Sequence, residues 1–273
     1  IYLITGIYLS LNTGISHDEY HEQLNWEINL KAIKSFYETG YYKDLLEYKD
    51  RYHGIGFNFL SQPFQYLIKD FLLSYLDINE YGSILIAKHP VIFILFFISS
   101  LFFYKICIIF FNNKNFALIS LFIYLLYPYF LGHSFINPKD IPFLSFWVIS
   151  TYVLCKILKK LYKEEPVPIK YIVYISISTS FLISIRIVGF LILLQFLIFI
   201  ITFNEIKNKS FFNLIKNNIK NLFILLFTLV LFLYLLNPIF WHDPKEIVNS
   251  LKWMSKYQQD VSTLTLGEYM KAL

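Results

Sequence analysis

Long apolar runs alternate with polar stretches along the whole chain. Val91–Phe103, Leu191–Phe203 and Leu222–Leu236 carry no charge at all. Flanking apolar residues extend such runs toward the roughly 20 residues a helix needs to cross a bilayer. Taken in order, the runs predict seven spans: the end of a first at Ile1–Leu11, then Ser83–Phe111, Phe116–Leu131, Ile141–Leu158, Tyr171–Ile185, Ile187–Phe203 and Leu222–Leu236. The fold class is therefore an all-α, polytopic membrane protein. Residues 1–236 form the membrane domain, with a large polar, helix-forming loop at 12–88. Residues 237–273 form a second extramembrane loop. Arg186 is the weakest division, because the runs on either side of it also read as one broken helix. The chain opens at Ile1 within an apolar run and stops soon after a soluble-looking segment, so it reads as a fragment lacking part of the first span and its C-terminal spans.

One stretch breaks the pattern. Tyr127–Pro142 (YPYFLGHSFINPKDIP) sets His133, Asn137, Lys139 and Asp140 among three prolines, between two apolar runs. Charges and interrupted backbone need partners that hydrocarbon cannot supply, so this tract belongs at a membrane surface or in a wet cavity.

Composition agrees: 56% of residues are hydrophobic and 16% charged. The aromatic excess goes with a general richness in Ile, Lys and Asn and carries no functional weight. Cys107 and Cys155 fall inside spans, which leaves no disulfide framework to read. Nothing signals nucleic-acid binding. Lys residues collect in alternate short loops, at Lys114, Lys156–Lys170 and Lys207–Lys220, which the positive-inside rule makes cytoplasmic. The 12–88 loop, with eleven Asp/Glu against seven Lys/Arg, then lies on the other face with the polar tract, Arg186 and residues 237–273. Asn208-Lys209-Ser210 matches a glycosylation acceptor but falls on the cytoplasmic side of this topology.

Three groups of residues suit chemistry. His17-Asp18-Glu19-Tyr20-His21-Glu22 follows the first span. A carboxylate there suits a general base, and it equally suits an acidic first helical turn. His17 and His21 share a helix face as zinc-binding pairs do, yet the metalloprotease pattern wants Glu where Asp18 stands. The second group is His133, Asn137, Lys139 and Asp140, where a cation at the rim suits a lipid phosphate. The third comprises Lys88, His89, Arg186 and His242, each at a span end on the same face; snorkelling to the interface explains such positions too. Arg186 is one of two arginines in a chain that otherwise uses Lys, and only Arg offers a planar fork for phosphate oxygens. After the last span, Asp243, Pro244 and Glu246 form a helix-start signature. Ile247, Leu251, Met254 and Tyr257 then fall near one face, predicting an amphipathic helix on the outer membrane surface.

The order of these features resembles the GT-C membrane glycosyltransferases, in the family 39 branch that includes protein O-mannosyltransferases and lipid-A aminoarabinose transferases. Asp18-Glu19 stands where that family keeps an acidic pair. Gly132–Pro142 looks like its GHxFxNPKDxP stretch, and Asn237–Pro244 with Leu251–Ser255 is similar to its (Y/N)PxxWxDP…MS segment. The resemblance implies a polyprenyl-phosphate sugar donor, an acceptor hydroxyl on a protein, lipid or glycan, and a site on the non-cytoplasmic face. That face is periplasmic for a bacterial inner membrane and lumenal for the endoplasmic reticulum. It implies Asp18 as general base and Glu19 as its positioning partner. Donor-phosphate binding then falls to Lys88, His89, His133, Asn137, Lys139, Asp140, Arg186 and His242, with Arg186 and His242 drawn from position alone. No cofactor is required by the resemblance; a divalent metal is compatible with it but not indicated. Two rival classes stand beside it. A transporter or flippase of lipid-linked saccharide should show inverted repeats and mid-span polar residues, and neither is found. A membrane metalloenzyme would be built on His17/His21.

Overall fold

The computed structural model describes residues 1–75, 78–207 and 216–256, and the backbone of 262–265 and 268–271. The apolar runs all become helices: α1 (Tyr2–Leu11), α6 (His89–Phe111), α7 (Lys114–Leu126), α9 (Asp140–Tyr162), α10 (Ile169–Ile185), α11 (Leu191–Lys207) and α12 (Ile219–Leu235). Among the described residues three stretches are long and apolar enough to cross a membrane, Glu80–Phe111, Asp140–Tyr162 and Ile187–Ile206. α7 joins α8 (Pro128–Ser134) across a 57° bend, which gives a fourth, broken candidate. Pro128 causes the bend: it lacks the N–H that would continue the ladder, and it suits a first helical turn. α1, α10 and α12 are the shorter apolar helices. Among the described residues the only strands are a short antiparallel pair, Ser262–Thr265 and Glu268–Lys271.

The bundle packs around α6, α9 and α10, with Phe93, Phe96, Ile141, Leu154, Ile175 and Leu182 in one buried cluster. Helices in lipid gain nothing from excluding hydrocarbon, so small residues and cross-helix hydrogen bonds join them. α10 carries both. Ser176 and Ser180 donate across to the Leu225 and Leu229 carbonyls of α12, each at 3.1 Å. Ser150 of α9 donates to Ser178 at 2.9 Å. Trp147 of α9 donates to Gln195 of α11 at 2.6 Å. Phe223, Phe227 and Val230 of α12 stay exposed, as a lipid-facing surface requires.

The chain breaks at Arg186. A 3₁₀ turn, Ile187–Phe190, folds back on α10 so closely that a Cβ on Gly189 would sit 2.9 Å from the Leu182 carbonyl oxygen. Only glycine fits that approach, and the two runs are separate helices rather than one. The ends of α1, α8, α10 and α12 and the starts of α6 and α9 therefore meet at one end of the bundle.

That end carries a polar layer. α2 (His17–Thr39), α3 (Asp44–Glu47), α4 (Gly56–Tyr75) and α5 (Glu80–Ile86) build the 12–88 region. The tail follows as α13 (Ile239–His242) and α14 (Glu246–Lys256). α14 begins at Glu246 rather than Pro244, because Asp243 spends its side chain on the Lys245 N–H at 2.8 Å in a preceding turn. Its inner face meets protein where the sequence predicts a membrane surface. Ile247 and Trp253 pack on the cluster of Ala32, Tyr42, Leu45 and Tyr52, while Val248 and Leu251 face outward. Tyr52 also donates to Glu246 at 2.5 Å. Tyr257 lies outside the described residues.

Candidate active site

A cavity of about 420 Å³ opens in this rim. Four segments wall it: the start of α2, the Tyr52–Gly54 loop, the tract from His133 to Asp140, and the Ile185–Ile187 break, with Met254 of α14 at one side. The loop sits tight against α10; a Cβ on Gly54 would come 2.4 Å from the Ser184 carbonyl oxygen. That contact fixes where Tyr52 and His53 stand.

The first turn of α2 sends its adjacent carboxylates different ways, since neighbouring helix positions point about 100° apart. Asp18 is exposed and lines the cavity, with no hydrogen-bond or ion-pair partner among the described residues. Glu19 is buried. One of its oxygens accepts from the Ser16 N–H at 2.7 Å, closing the helix start, and the other lies 2.7 Å from His89 Nε2. His89 Nδ1 donates to the Ser10 carbonyl at 3.0 Å. A carbonyl only accepts, so Nδ1 holds one ring proton and a further proton bridges Nε2 and Glu19. This pair clamps α2 to α6 and to the end of α1. Glu22, one turn after Asp18, faces the cavity with it.

The tract is held by Asn137. Its side-chain oxygen accepts from the N–H groups of Lys139 and Asp140, at 3.0 and 2.7 Å. Its amide nitrogen lies 3.0 Å from both Asp140 Oδ2 and His133 Nδ1. Asn137 thus caps the start of α9 and aims the residues after it. The Lys139 ammonium pairs with Glu22 at 2.6 Å and donates to His53 Nδ1 at 3.3 Å. Arg186 pairs with Asp140 at 2.5 Å, while its buried Nε has no hydrogen-bond partner among the described residues. Burial, reinforced by the nearby Lys139 charge, pulls His53 down to about 4, so its ring is neutral at pH 7.

The fold thus gathers Asp18, His133, Asn137, Lys139, Asp140 and Arg186 around one cavity. Of the other sequence candidates, His21 also lines the cavity, while Glu19, Lys88, His89, His242 and His17 do not. Lys88 is 1% exposed, with its ammonium 3.3 Å from Gln23. His89 is held by Glu19 and Ser10 as described. Both belong to the α5–α6 junction, where the helix start is buried under α2. His242 is exposed at the end of α13 with its ring against Tyr41, and its backbone N–H reaches inward, to the Tyr42 hydroxyl at 3.0 Å. His17 is exposed. Asp50 approaches His21 instead, at 3.7 Å. Glu22 and His53 are cavity residues to which the sequence reading gives no role, although Glu22 belongs to its first group. Glu22 carries a usable signal, being four residues from Asp18. His53 carries only the neighbouring Gly54 and Gly56, which mark a close approach of backbone.

Comparison with known families matches residues 56–238 to the family described as dolichyl-phosphate-mannose-protein mannosyltransferase. The match spans the Tyr127–Pro142 tract and Arg186 but not Asp18. No curated protein and no solved structure matches the chain.

Proposed function

The chain belongs to the dolichyl-phosphate-mannose-protein mannosyltransferase family, and from that premise we propose that it moves a sugar from a polyprenyl-phosphate donor to an acceptor hydroxyl at the rim cavity. The observation that carries this reading is the meeting of one unpaired carboxylate, Asp18, with two cations, Lys139 and Arg186, in a polar cavity at the end of an apolar bundle. A lipid-linked donor needs that combination: hydrocarbon for its tail, cations for its phosphate, and a base above its sugar.

In this mechanism Asp18 takes the proton of the acceptor hydroxyl. The hydroxyl oxygen attacks the anomeric carbon in line, and the bond from that carbon to the phosphate oxygen breaks. The product is inverted at that carbon and polyprenyl phosphate leaves with an added negative charge. Lys139 has three N–H donors, of which Glu22 and His53 take two. The third is left for a phosphate oxygen, and the Arg186 guanidinium also lines the cavity. Glu22 and Asp140 hold these cations at fixed places, so little reorganisation accompanies bond breaking. Glu19 acts by holding the α2 start, and so the place of Asp18. The Lys bias of the opposite loops supports a cavity on the non-cytoplasmic face.

Transfer is tested with the chain in vesicles, given radiolabelled polyprenyl-phosphate mannose and a mixed protein and lipid acceptor fraction. Label should move to an acceptor in wild type and stay on the lipid in Asp18→Asn. Equal transfer by both would remove Asp18 from the mechanism. For sidedness, Lys163→Cys should resist an impermeant thiol reagent added outside intact cells while Cys at the exposed Tyr37 position (Tyr37→Cys) reacts. The reverse pattern would invert the topology.

A further inference from the structure

His21, Asp50 and His53 converge where α2 meets the loop before α4. His21 Nε2 lies 3.7 Å from one carboxylate oxygen of Asp50, and His53 Nε2 lies 3.8 Å from the other. The ligating atoms of all three fall within 4.8 Å of one another. These separations are too long for hydrogen bonds, so the groups surround a common space more than they bind each other. The two histidine–carboxylate separations also fit a shared ion, because two ligands each about 2.1 Å from one metal stand up to about 4 Å apart; any wider pair within the 4.8 Å spread has to draw in as the ion binds. The rings meet edge to face with centroids 5.5 Å apart, which keeps stacking from closing the gap.

We propose that His21, Asp50 and His53 form a binding site for a divalent transition metal of the zinc class on the wall of the cavity. Two imidazole nitrogens with one carboxylate suit zinc; magnesium and calcium prefer oxygen ligands throughout. Three protein ligands leave a fourth position, and since His21 and His53 both line the cavity, that position borders it. The His21 side chain is 40% exposed against 13% for His53 and 15% for Asp50, so an ion enters past His21 to reach the two more buried ligands. Lys139 donates to His53 Nδ1, which places the single proton of the neutral ring on Nε2. An ion arriving at Nε2 shifts that proton to Nδ1, and Lys139 turns from His53 to its other partner, Glu22. Metal occupancy and the position of Lys139 are therefore linked. The inference stands on this cluster alone and holds whether or not the cavity takes a lipid-linked sugar.

The test uses the purified full chain in lipid nanodiscs, first stripped with a chelator and then titrated with Zn²⁺ against a chromophoric competitor. One equivalent should bind. His21→Gln and Asp50→Asn should each weaken binding at least about tenfold, the loss expected even for an outer-shell partner. His21→Gln alters a partly exposed side chain, and nanodisc elution profiles confirm that each variant stays folded. His17→Ala, one turn away on the same helix, should bind as wild type does. A thousandfold excess of Mg²⁺ should not displace the zinc. Co²⁺ should give visible absorption bands from nitrogen and oxygen coordination, which His53→Gln removes. Absence of a stoichiometric site overturns the proposal. So does zinc affinity unchanged in both His21→Gln and Asp50→Asn, or lost to the same extent in His17→Ala.

Discussion

The start of α2 and the Asn137–Asp140 turn face each other across the cavity, and they deliver charge to it in opposite ways. α2 is regular, so it scatters His17, Asp18, Glu19 and Glu22 around its axis; Asp18 and Glu22 reach the cavity while Glu19 is driven into the core against His89. The turn is irregular. Pro138 and the doubly accepting Asn137 side chain fix it so that consecutive residues, Lys139 and Asp140, both face the cavity. On the helix, adjacency parts Asp18 from Glu19 although His21 and Glu22 both reach the cavity; in the turn it keeps Lys139 and Asp140 together. A helix presents functional groups at intervals of three or four residues, and a capped, proline-stiffened turn presents them in succession.

Substitutions on the two sides should separate these roles. The largest effect is expected at Asp18. Asp18→Asn should lower sugar transfer by about 10²–10⁴-fold, as loss of a general base does, with donor affinity unchanged. A rate within a few-fold of wild type would mean that the helix side contributes no base. Glu19→Ala should act on folding. It leaves His89 buried without its partner, and breaking a buried pair costs about 3–5 kcal/mol. Glu19→Gln should cost much less, because an amide can accept from Ser16 and donate to a neutral His89. Thermal unfolding of the two variants in nanodiscs reads the difference. Equal Tm values for wild type and Glu19→Ala would return Glu19 to the chemistry.

On the turn side, Lys139→Ala should weaken donor binding by roughly tenfold to a hundredfold, the worth of about one charge-assisted hydrogen bond in a partly dry site. Lys139→Arg should recover part of it, since the guanidinium fork has another reach and shape. Donor titration measures both. If Lys139 only pairs with Glu22, donor affinity should stay unchanged and the loss should appear in stability instead. Asn137→Ala should have the smallest effect, about 0.5–2 kcal/mol for loss of a helix cap. It should also raise the donor Kd without changing the rate at saturation. A fall in the saturated rate instead would show that the turn takes part in the chemical step.

The comparison also explains what the sequence could disclose. The apolar runs are helices throughout, because twenty-odd uncharged residues have one stable form in lipid. The Tyr127–Pro142 tract announces itself because charge and proline between such runs have few places to go. Within the tract the reading was local, so Asn137, Lys139 and Asp140 stood out without tertiary knowledge. On α2 the same reading paired Asp18 with Glu19, where the helix pairs Asp18 with Glu22. Four-residue spacing was visible there and neighbourhood took precedence. Lys88 and His89 looked like rim cations because burial under α2 depends on the return path of α4 and α5, which no local pattern encodes. Asp50 and His53 lie about thirty residues from His21 and meet it only because the loop closes on α10 at Gly54.

The central claim is that this cavity receives the phosphate end of a polyprenyl-linked sugar. The most direct measurement uses polyprenyl-phosphate mannose with a photoreactive group in its first isoprene unit, irradiated with the chain in nanodiscs and mapped by mass spectrometry. The account predicts adducts within residues 133–140 and 185–187, suppressed by excess unlabelled donor. Adducts confined to residues 112–114, 159–170 and 216–220, at the opposite end of the bundle, would contradict it.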